Sequence, residues 1–299
     1  MTYRVAAIGE CMVELSPAAT PAQFGVSFAG DTFNTAWYLH RLQPAWAVDY
    51  VTKVGRDDIS ERMLRFMADQ GVGTAHVARC DSRTVGLYMI ALNNGERSFS
   101  YWRGQSAARG LAEDAAALSA ACAGADVVYV SGITLAVLDA QGRETLFDTL
   151  RAARAAGSLV AFDPNLRPKL WADTDQMCAA VMQAAQLCDI ALPSHEDEAT
   201  FFKDADPQAT LQRYQSAGAS TVVVKNGAGP ICYVHHGAKG NHTPEPVPHE
   251  VDTTAAGDSF NAGLLAGFMP DGALAPAVAQ GCALAAQVVQ GQGALVQVA

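Results

Sequence analysis

The sequence lacks the short motifs that mark three common enzyme classes. It contains no G-x-x-x-x-G-K-[ST], no G-x-G-x-x-G after the first predicted strand and no H-E-x-x-H. These motifs supply the phosphate loop of Walker-type NTPases, the dinucleotide site of Rossmann dehydrogenases and the zinc ligands of zincin proteases. The sequence therefore argues against these three classes.

Paired cysteines, long apolar runs and an excess of positive charge are also missing. The seven cysteines are scattered and never spaced C-x-x-C, which argues against a disulfide framework or a zinc ribbon. No run approaches the ~18 uncharged apolar residues of a membrane span, and the first predicted strand reaches Glu10 before an apolar leader could form. A net charge of −10 disfavours a general nucleic-acid binder but allows a small anionic substrate held by a few arginines. We expect a cytoplasmic protein that binds neither membranes nor nucleic acid.

Short β-branched segments alternate with longer amphipathic ones along the chain. In 299 residues, of which 50% are apolar, this alternation is typical of repeated β-α units around a mainly parallel sheet. The predicted buried strands are residues 4–8, 50–54, 126–131, 159–163, 190–192 and 221–225. The predicted helices are residues 32–42, 60–70, 112–123, 140–156, 174–185, 207–217, 256–268 and 274–290.

Two segments interrupt this alternation. Around residues 13–29 the chain is polar and has little helical periodicity. Residues 85–92 and 97–102 form a predicted hairpin through Asn-Asn-Gly-Glu, because Asn-Gly between two such runs is a strong hairpin signal. We predict a single α/β domain, residues 1–299, with a small β lid formed by about residues 11–30 and 84–104. A lid exposes sheet edges that can pair between subunits, so we also expect a dimer.

The most informative motif is Asp-Thr-Thr-Ala-Ala-Gly-Asp-Ser-Phe-Asn-Ala-Gly at 252–263. Small residues precede an apolar helix, so the backbone N–H groups of Ala255, Ala256 and Gly257 can face one anion together with the helix dipole. Such a site suits a transferring phosphoryl group. Asp258 lies in the first helical turn, where its carboxylate can accept the proton of an attacking hydroxyl. An ordinary acidic residue at a helix start gives the same pattern.

This motif resembles the C-terminal signature of the ribokinase-like (PfkB) carbohydrate kinases. Their N-terminal signature is matched by Ala-Gly-Asp-Thr-Phe-Asn-Thr-Ala at 29–36. Further matches, in the family's order, are Ile-Gly-Glu at 8–10, Val-Gly-Arg-Asp at 54–57 and Lys-Asn-Gly-Ala at 225–228. The resemblance covers nearly the whole chain. It implies a ribokinase-like three-layer α/β/α sandwich with a mainly parallel central sheet and a small β lid, and ATP-dependent phosphorylation of a sugar hydroxyl.

Within the family, three segments resemble 2-keto-3-deoxygluconate kinases: residues 30–36, Tyr-Trp-Arg at 101–103 and Asp-Pro-Asn-Leu-Arg-Pro-Lys-Leu-Trp at 163–171. The resemblance implies a set of substrate-binding residues. This set is Gly30, Asp31, Asn34, Tyr88, Tyr101, Arg103, Arg167 and Asp258. The two arginines can hold a carboxylate or the moving phosphate through forked hydrogen bonds. A capping side chain at Asn34, packing aromatics on the lid and a solvated Arg103 at the hairpin end are the alternative interpretations.

The resemblance also implies a set of nucleotide-binding residues. This set is Asn165, Arg167, Ser194, Lys225, Gly227, Ala255, Gly257 and Cys282. Gly227 can admit the adenosine group against the backbone, although a plain turn has the same sequence. The family's Asn-x-x-Glu motif, which influences magnesium, corresponds to 195–198: Glu198 matches and His195 stands in place of Asn, while an acidic helix start gives the same pattern. ATP and Mg²⁺ are thus implied, and a monovalent cation is left open.

Besides His195, three positions depart from the family pattern. Ala29 and Ala255 replace glycines in the two signatures, and Cys282 stands where relatives often carry Asn near the adenine. Both alanines are small, so we expect the backbone geometry to be kept. Cys282 leaves the nucleotide preference open.

The residues and the resemblance together predict phosphorylation of 2-dehydro-3-deoxy-D-gluconate at its terminal hydroxyl, with Asp258 as general base. Two alternatives stay open at this point. One is a kinase for a neutral sugar such as fructose or ribose, and the other is a catalytically silent sugar-acid sensor on the same fold. Arg103 and Arg167 favour an acidic substrate, and the intact Gly257 and Asp258 favour catalysis.

Overall fold

A computed structural model describes residues 2–18, 20, 22–93 and 96–298. The strands are β1 (Arg4–Ile8), β2 (Met12–Pro17), β3 (Phe24–Ala29), β4 (Ala47–Val54), β5 (Val77–Arg79), β6 (Gly86–Asn93), β7 (Glu96–Trp102), β8 (Val127–Ser131), β9 (Leu159–Asp163), β10 (Ile190–Ala191), β11 (Thr221–Val224), β12 (Ile231–His235) and β13 (Ala238–His242). The helices are α1 (Asp31–Leu42), α2 (Asp58–Asp69), α3 (Ala115–Cys122), α4 (Gly132–Val137), α5 (Ala140–Ala155), α6 (Thr174–Ala185), α7 (His195–Phe201), α8 (Pro207–Ala217), α9 (Ala256–Phe268) and α10 (Leu274–Val288). None of the helices within these ranges is long and apolar enough to cross a membrane.

These strands form a large sheet and a separate small sheet. In the described part of the chain, the large sheet has the order β13-β12-β11-β10-β9-β8-β1-β4-β5. Its neighbours pair in parallel from β11 to β5, while β12 and β13 join antiparallel. The small sheet has the order β3-β2-β6-β7, with β2 and β6 parallel and the other pairs antiparallel. The large sheet is therefore mainly parallel, as predicted.

Successive residues of the central strand face two different helix layers. Val5 and Ala7 pack into a core with side chains of α1, α2, α9 and α10, and Ala6 and Ile8 pack into another core with α3, α4, α5, α6 and α8. Successive side chains of a strand point to opposite faces of the sheet, and helices cover both faces here. The result is helix on sheet on helix, which confirms the predicted three-layer sandwich.

Aspartate side chains fix where several helices begin. At α2, α5, α6 and α8 the residue before the helix accepts a hydrogen bond from a backbone N–H in the first turn. Asp114 does the same for α3, which explains why that helix starts at Ala115 rather than at the predicted residue 112. By contrast, α1 and α9 have no side-chain cap. Their first N–H groups are not used by a capping side chain.

The sequence missed several short elements. The segment around residues 13–29, which we assigned to the small β lid without placing its strands, contains β2 and β3. Three more strands, β5, β12 and β13, and the short helices α4 and α7 were not predicted. The two strands of the predicted hairpin are confirmed as β6 and β7, and Asn94 and Gly95 between them lie outside the described residues. Strands of three to six residues are too short to show a clear alternation, so their order depends on the pairing partner more than on their own pattern.

Candidate functional site

At strand β1 the order in which strands are added to the large sheet reverses. From β1 the chain proceeds to β4 on one side, and β8 later pairs with the other side of β1. In open parallel sheets, ligands bind beyond the carboxyl ends of the strands at such a reversal. Gly9 and Glu10 follow β1 here, and α4 follows β8 directly. This edge is therefore the expected position of a binding site.

The start of α9 lies next to a lysine. Ala255 precedes the helix in the left-handed conformation, with φ of 61°, and no side chain caps the helix. A Cβ placed on Gly257 would lie 3.5 Å from Lys225 Nζ. A helix start without a capping side chain, beside an ammonium group, is a place that favours an anion, although the Ala256 N–H donates to Thr253 O at 3.1 Å in this structure. The structure thus brings three predicted nucleotide residues, Ala255, Gly257 and Lys225, to one point.

Asp258 is the carboxylate in the first turn of α9. Its Oδ2 accepts a hydrogen bond from Asn34 Nδ2 at 2.8 Å, and its backbone oxygen accepts one from Thr35 Oγ1 at 3.1 Å. Burial, and next the charge of Asp31, raise the pKa of Asp258 to about 7, against the opposing effects of Asn34 and Lys225. A carboxylate with such a pKa can both accept and release a proton near neutral pH.

A buried polar network holds Lys225 in place. Lys225 Nζ lies 2.8 Å from Asp163 Oδ2 and 3.3 Å from Asn261 Oδ1, and Asn261 Nδ2 donates to the same Asp163 oxygen at 2.7 Å. Asp163 ends β9, and Asn261 is on α9 one turn after Asp258. Sequence analysis missed both as site residues. A buried-strand carboxylate and an amide in an otherwise apolar helix were the available signals.

The start of α1 forms the other wall of the site. Gly30 is in extended backbone, and a Cβ there would lie 2.1 Å from the backbone oxygen of Glu10, so this close approach requires glycine. Asn34 Oδ1 accepts a hydrogen bond from Gly30 N at 3.3 Å, and Asn34 Nδ2 donates to Asp258. Asp31 Oδ2 accepts from Asn165 Nδ2 at 2.8 Å, across 134 positions of sequence. Asn34 thus contacts Asp258 directly, and the charge of Asp31 acts on it.

Both predicted substrate arginines already have carboxylate partners within the protein. Arg103 forms an ion pair with Glu10, and both side chains are buried, 10% and 0% exposed. Arg167 Nη1 lies 3.5 Å from Asp197 Oδ2 and donates to its neighbour's backbone oxygen, with half of its side chain exposed. Their positive charges are therefore partly or fully compensated before any ligand binds.

The predicted aromatic residues of the small sheet have different environments. The hydroxyl of Tyr88 donates to the carboxylate of Glu14, and burial followed by that negative charge raises the pKa of Tyr88. Tyr101 is 52% exposed, and its ring centroid is 5.8 Å from that of Tyr88. Of the two, Tyr101 is therefore the one open to a ligand.

The remaining nucleotide residues lie along the strand ends that follow Lys225. Ser194 pairs with Lys225 in an isolated parallel bridge. Gly227 has φ of 54°, and a Cβ there would meet nothing within 4 Å, so the space beside it is open. Cys282 is buried on α10, and burial raises the pKa of its thiol to about 11.

Glu198, which the resemblance connected to magnesium, is buried on α7. Its Oε2 accepts from Arg213 Nη2 at 2.6 Å and its Oε1 from the Tyr214 hydroxyl at 2.9 Å. Burial raises the pKa of Glu198 to about 7, despite the nearby charge of Arg213. The carboxylate is used by these two protein partners in this structure.

Comparisons with known proteins point to one family. The sequence matches the description "pfkB family carbohydrate kinase" over residues 2–298. It is 37% identical to a 2-dehydro-3-deoxygluconokinase of Haemophilus influenzae, over 98% of this chain and 95% of the relative. The crystal structure of a PfkB protein from Polaromonas sp. JS666 superposes with a TM-score of 0.87 at 27% identity, over 97% of this chain and 96% of that one. An ATP-bound fructokinase of Xylella fastidiosa gives a TM-score of 0.84 at 26% identity, over 98% and 94% of the two chains.

Proposed function

The chain belongs to the pfkB family of carbohydrate kinases, and we propose that it transfers the γ-phosphoryl group of ATP to the terminal hydroxyl of 2-dehydro-3-deoxy-D-gluconate. The choice of substrate is supported by the Haemophilus relative, whose name states that activity and which matches this chain over almost its full length. The nucleotide rests on the ATP-bound fructokinase of the same fold. The observation that carries the chemistry is Asp258 itself, a carboxylate of raised pKa at the start of α9.

In the proposed reaction, Asp258 accepts the proton of the substrate hydroxyl as its oxygen attacks the γ-phosphorus. The bond between that phosphorus and the bridging oxygen breaks, so the products are the 6-phosphate and ADP. Asn34 orients the carboxylate through its 2.8 Å hydrogen bond. The N–H groups at 255–257 and the ammonium of Lys225, which meet at the start of α9, would stabilise charge on the transferring group.

Magnesium would neutralise charge on the phosphates of bound ATP. Among the described residues, no group of three or more His, Cys, Asp or Glu side chains is placed to hold a metal ion. Glu198 is occupied by Arg213 and Tyr214. Mg²⁺ is usually bound through substrate phosphates and few carboxylates, so an ion that arrives with the nucleotide would suit these residues.

A neutral-sugar kinase is the nearest alternative, since a fructokinase shares the fold at 26% identity. A sensor that binds without catalysis is the alternative from another class. The 37% identity to the gluconokinase favours the acid over the neutral sugar. The position of Asp258 between Asn34 and the start of α9 favours catalysis over sensing.

The test is ADP release with ATP and Mg²⁺ across 2-dehydro-3-deoxygluconate, 2-dehydro-3-deoxygalactonate, fructose and ribose. Asp258→Asn should remain folded and lose about 10²–10⁴-fold in kcat, because it removes the proton acceptor. Asp69→Asn, at the exposed end of α2, is the matched control and should keep normal turnover. Turnover on a neutral sugar alone would replace the proposed substrate, and silence on every substrate in a folded sample would support the sensor. Near-normal kcat in Asp258→Asn would refute the base assignment.

A further inference from the structure

Asn261 is a fully buried amide on α9, one turn after Asp258. Its Nδ2 donates to Asp163 Oδ2 at 2.7 Å and to the Tyr129 hydroxyl at 3.0 Å, and its Oδ1 accepts from Lys225 Nζ at 3.3 Å. An ionised carboxylate can only accept and an ammonium can only donate, so these partners allow one orientation of the amide. Side chains from β8, from β9 and from the residue after β11 therefore fix Asn261 together.

The ammonium of Lys225 has one hydrogen-bond donor left for a ligand. An ammonium carries three N–H groups, and Lys225 uses two of them toward Asp163 Oδ2 at 2.8 Å and Asn261 Oδ1 at 3.3 Å. Within the described part of the chain, no third acceptor lies within hydrogen-bond distance of this nitrogen. A Cβ on Gly257 would lie 3.5 Å from it, so the start of α9 is next to the ammonium. The third N–H is therefore available to an anion bound at that point.

Asn261 bridges the two charged groups of this network. Its amide donates to the same Asp163 oxygen that accepts from Lys225, so the amide and the ammonium share one acceptor. Without the amide, that oxygen would keep only the ammonium among its described partners, and the attraction of opposite charges would draw Lys225 toward Asp163. The amide oxygen attracts a second N–H in another direction and adds no charge. The position of the ammonium next to Gly257 thus depends on Asn261.

We propose that Asn261 is a positioning residue that directs the ammonium of Lys225 at the γ-phosphoryl group of bound ATP. This inference rests on the proposed function, in which Lys225 stabilises charge on the transferring group. An ammonium held by two protein acceptors has its third N–H in place before the nucleotide arrives, so less freedom is lost on binding and no reorientation is needed during transfer. Asn261 thus acts on nucleotide binding and on turnover through Lys225, without contact to the sugar.

The test is calorimetric titration of the full-length protein, without a sugar, with the β,γ-imido analogue of ATP plus Mg²⁺ and separately with AMP. Asn261→Ala should raise Kd for the ATP analogue about tenfold, equivalent to about 1.4 kcal/mol. Kd for AMP should change less than about twofold, because AMP lacks the γ-phosphoryl group that Lys225 contacts. A merely structural role would weaken both ligands alike.

Ser158→Ala is the matched control. It removes another buried hydrogen bond, from Ser158 Oγ to Ala125 O at 2.7 Å, directly before β9 and therefore at the opposite end of that strand from Asp163. Both ligands should keep Kd within about twofold of the wild type in this variant.

Tyr129→Phe is a milder second variant, for the case that Asn261→Ala does not fold. It removes only the hydroxyl to which Asn261 donates at 3.0 Å and leaves the contacts to Asp163 and Lys225. Kd for the ATP analogue should rise about three- to fivefold, again with AMP within about twofold. Equal losses for the two ligands would overturn the positioning role. A Kd for the ATP analogue within about twofold of the wild type in every variant that folds would overturn it as well.

Steady-state kinetics separate this inference from the proposed function. Asn261→Ala should raise KM for ATP and lower kcat, while KM for the sugar stays within about twofold of the wild type. A wild type that binds the ATP analogue but phosphorylates a different sugar would replace the proposed substrate and leave the role of Asn261 intact. A wild type that binds no nucleotide would refute the proposed function, and this inference with it.

Discussion

The raised pKa of Asp258 should appear as an acid limb in the pH profile of kcat/KM. A general base works only when deprotonated, and burial together with the charge of Asp31 raises the pKa of Asp258 to about 7. Activity is therefore lost as the pH falls through that value. Asp31→Asn removes the like charge, so it should move the limb to lower pH.

The size of the effect follows from the fraction of Asp258 that is deprotonated. With a pKa of about 7, about 91% is deprotonated at pH 8 and about 9% at pH 6, so kcat/KM should fall about tenfold. Removing one nearby like charge typically lowers a carboxylate pKa by about one unit, roughly 1.4 kcal/mol. In Asp31→Asn the same fall should then be only about twofold. The absolute rate should also drop, since Asp31 accepts a hydrogen bond from Asn165. The quantity to compare is therefore the ratio of kcat/KM at pH 8 to kcat/KM at pH 6 within each variant.

The assay is ADP release under kcat/KM conditions from pH 5.5 to 8.5, with folding checked by circular dichroism at each end. Glu198 needs a control because burial raises its pKa to about 7 as well. Glu198→Gln should keep the limb of the wild type, whereas Asp31→Asn should shift it. A profile flat between pH 6 and 8 in the wild type would refute the reasoning. A limb that survives Asp31→Asn unchanged and disappears in Glu198→Gln would assign the titration to Glu198 instead.

Two further substitutions test the backbone that supports the site. Gly132→Ala would place a Cβ 1.8 Å from the backbone oxygen of Pro164, so it should lower the free energy of unfolding by about 1–3 kcal/mol, measured by thermal unfolding. Gly104→Ala is the control, because its Cβ would meet nothing within 4 Å. Equal unfolding temperatures for the two variants would contradict the close approach at Gly132. Ala255→Gly removes the strain of an alanine in the left-handed conformation, with φ of 61°, but glycine also gives the unfolded chain more conformational entropy. The strain is the larger effect, so Tm should rise by about 1–2 °C while kcat stays within about threefold of the wild type. A fall in Tm of several degrees would show that the alanine is unstrained.

The elements with a strong local pattern could be predicted from the sequence. The helix at Ala256–Phe268 and the strand at Leu159–Asp163 have the predicted bounds, because helical and strand periods are visible within a dozen residues. The two strands at 12–17 and 24–29 could not be predicted in this way. They lie in the small sheet, where the pairing partner decides the structure.

The same distinction between local pattern and long-range contact applies to the candidate site. Asp258 at a helix start could be recognised from the sequence, because small residues, a carboxylate and an apolar helix follow one another within a few positions. Its contact with Asn34 joins residues 224 positions apart, and the ion pair of Arg103 with Glu10 likewise joins distant segments. Such contacts are set by the order of strands in the sheet and by helix packing, which no local pattern records.

The sequence by itself therefore determined the kind of chemistry, through the types of residue at the end of one strand and the start of one helix. Only the tertiary structure decided which charges remain available to a ligand. Arg103 is paired with Glu10 and both side chains are buried, whereas half of the Arg167 side chain is exposed. The physical reason is that the effect of a charge depends on its neighbours and its burial, and both are properties of the folded chain.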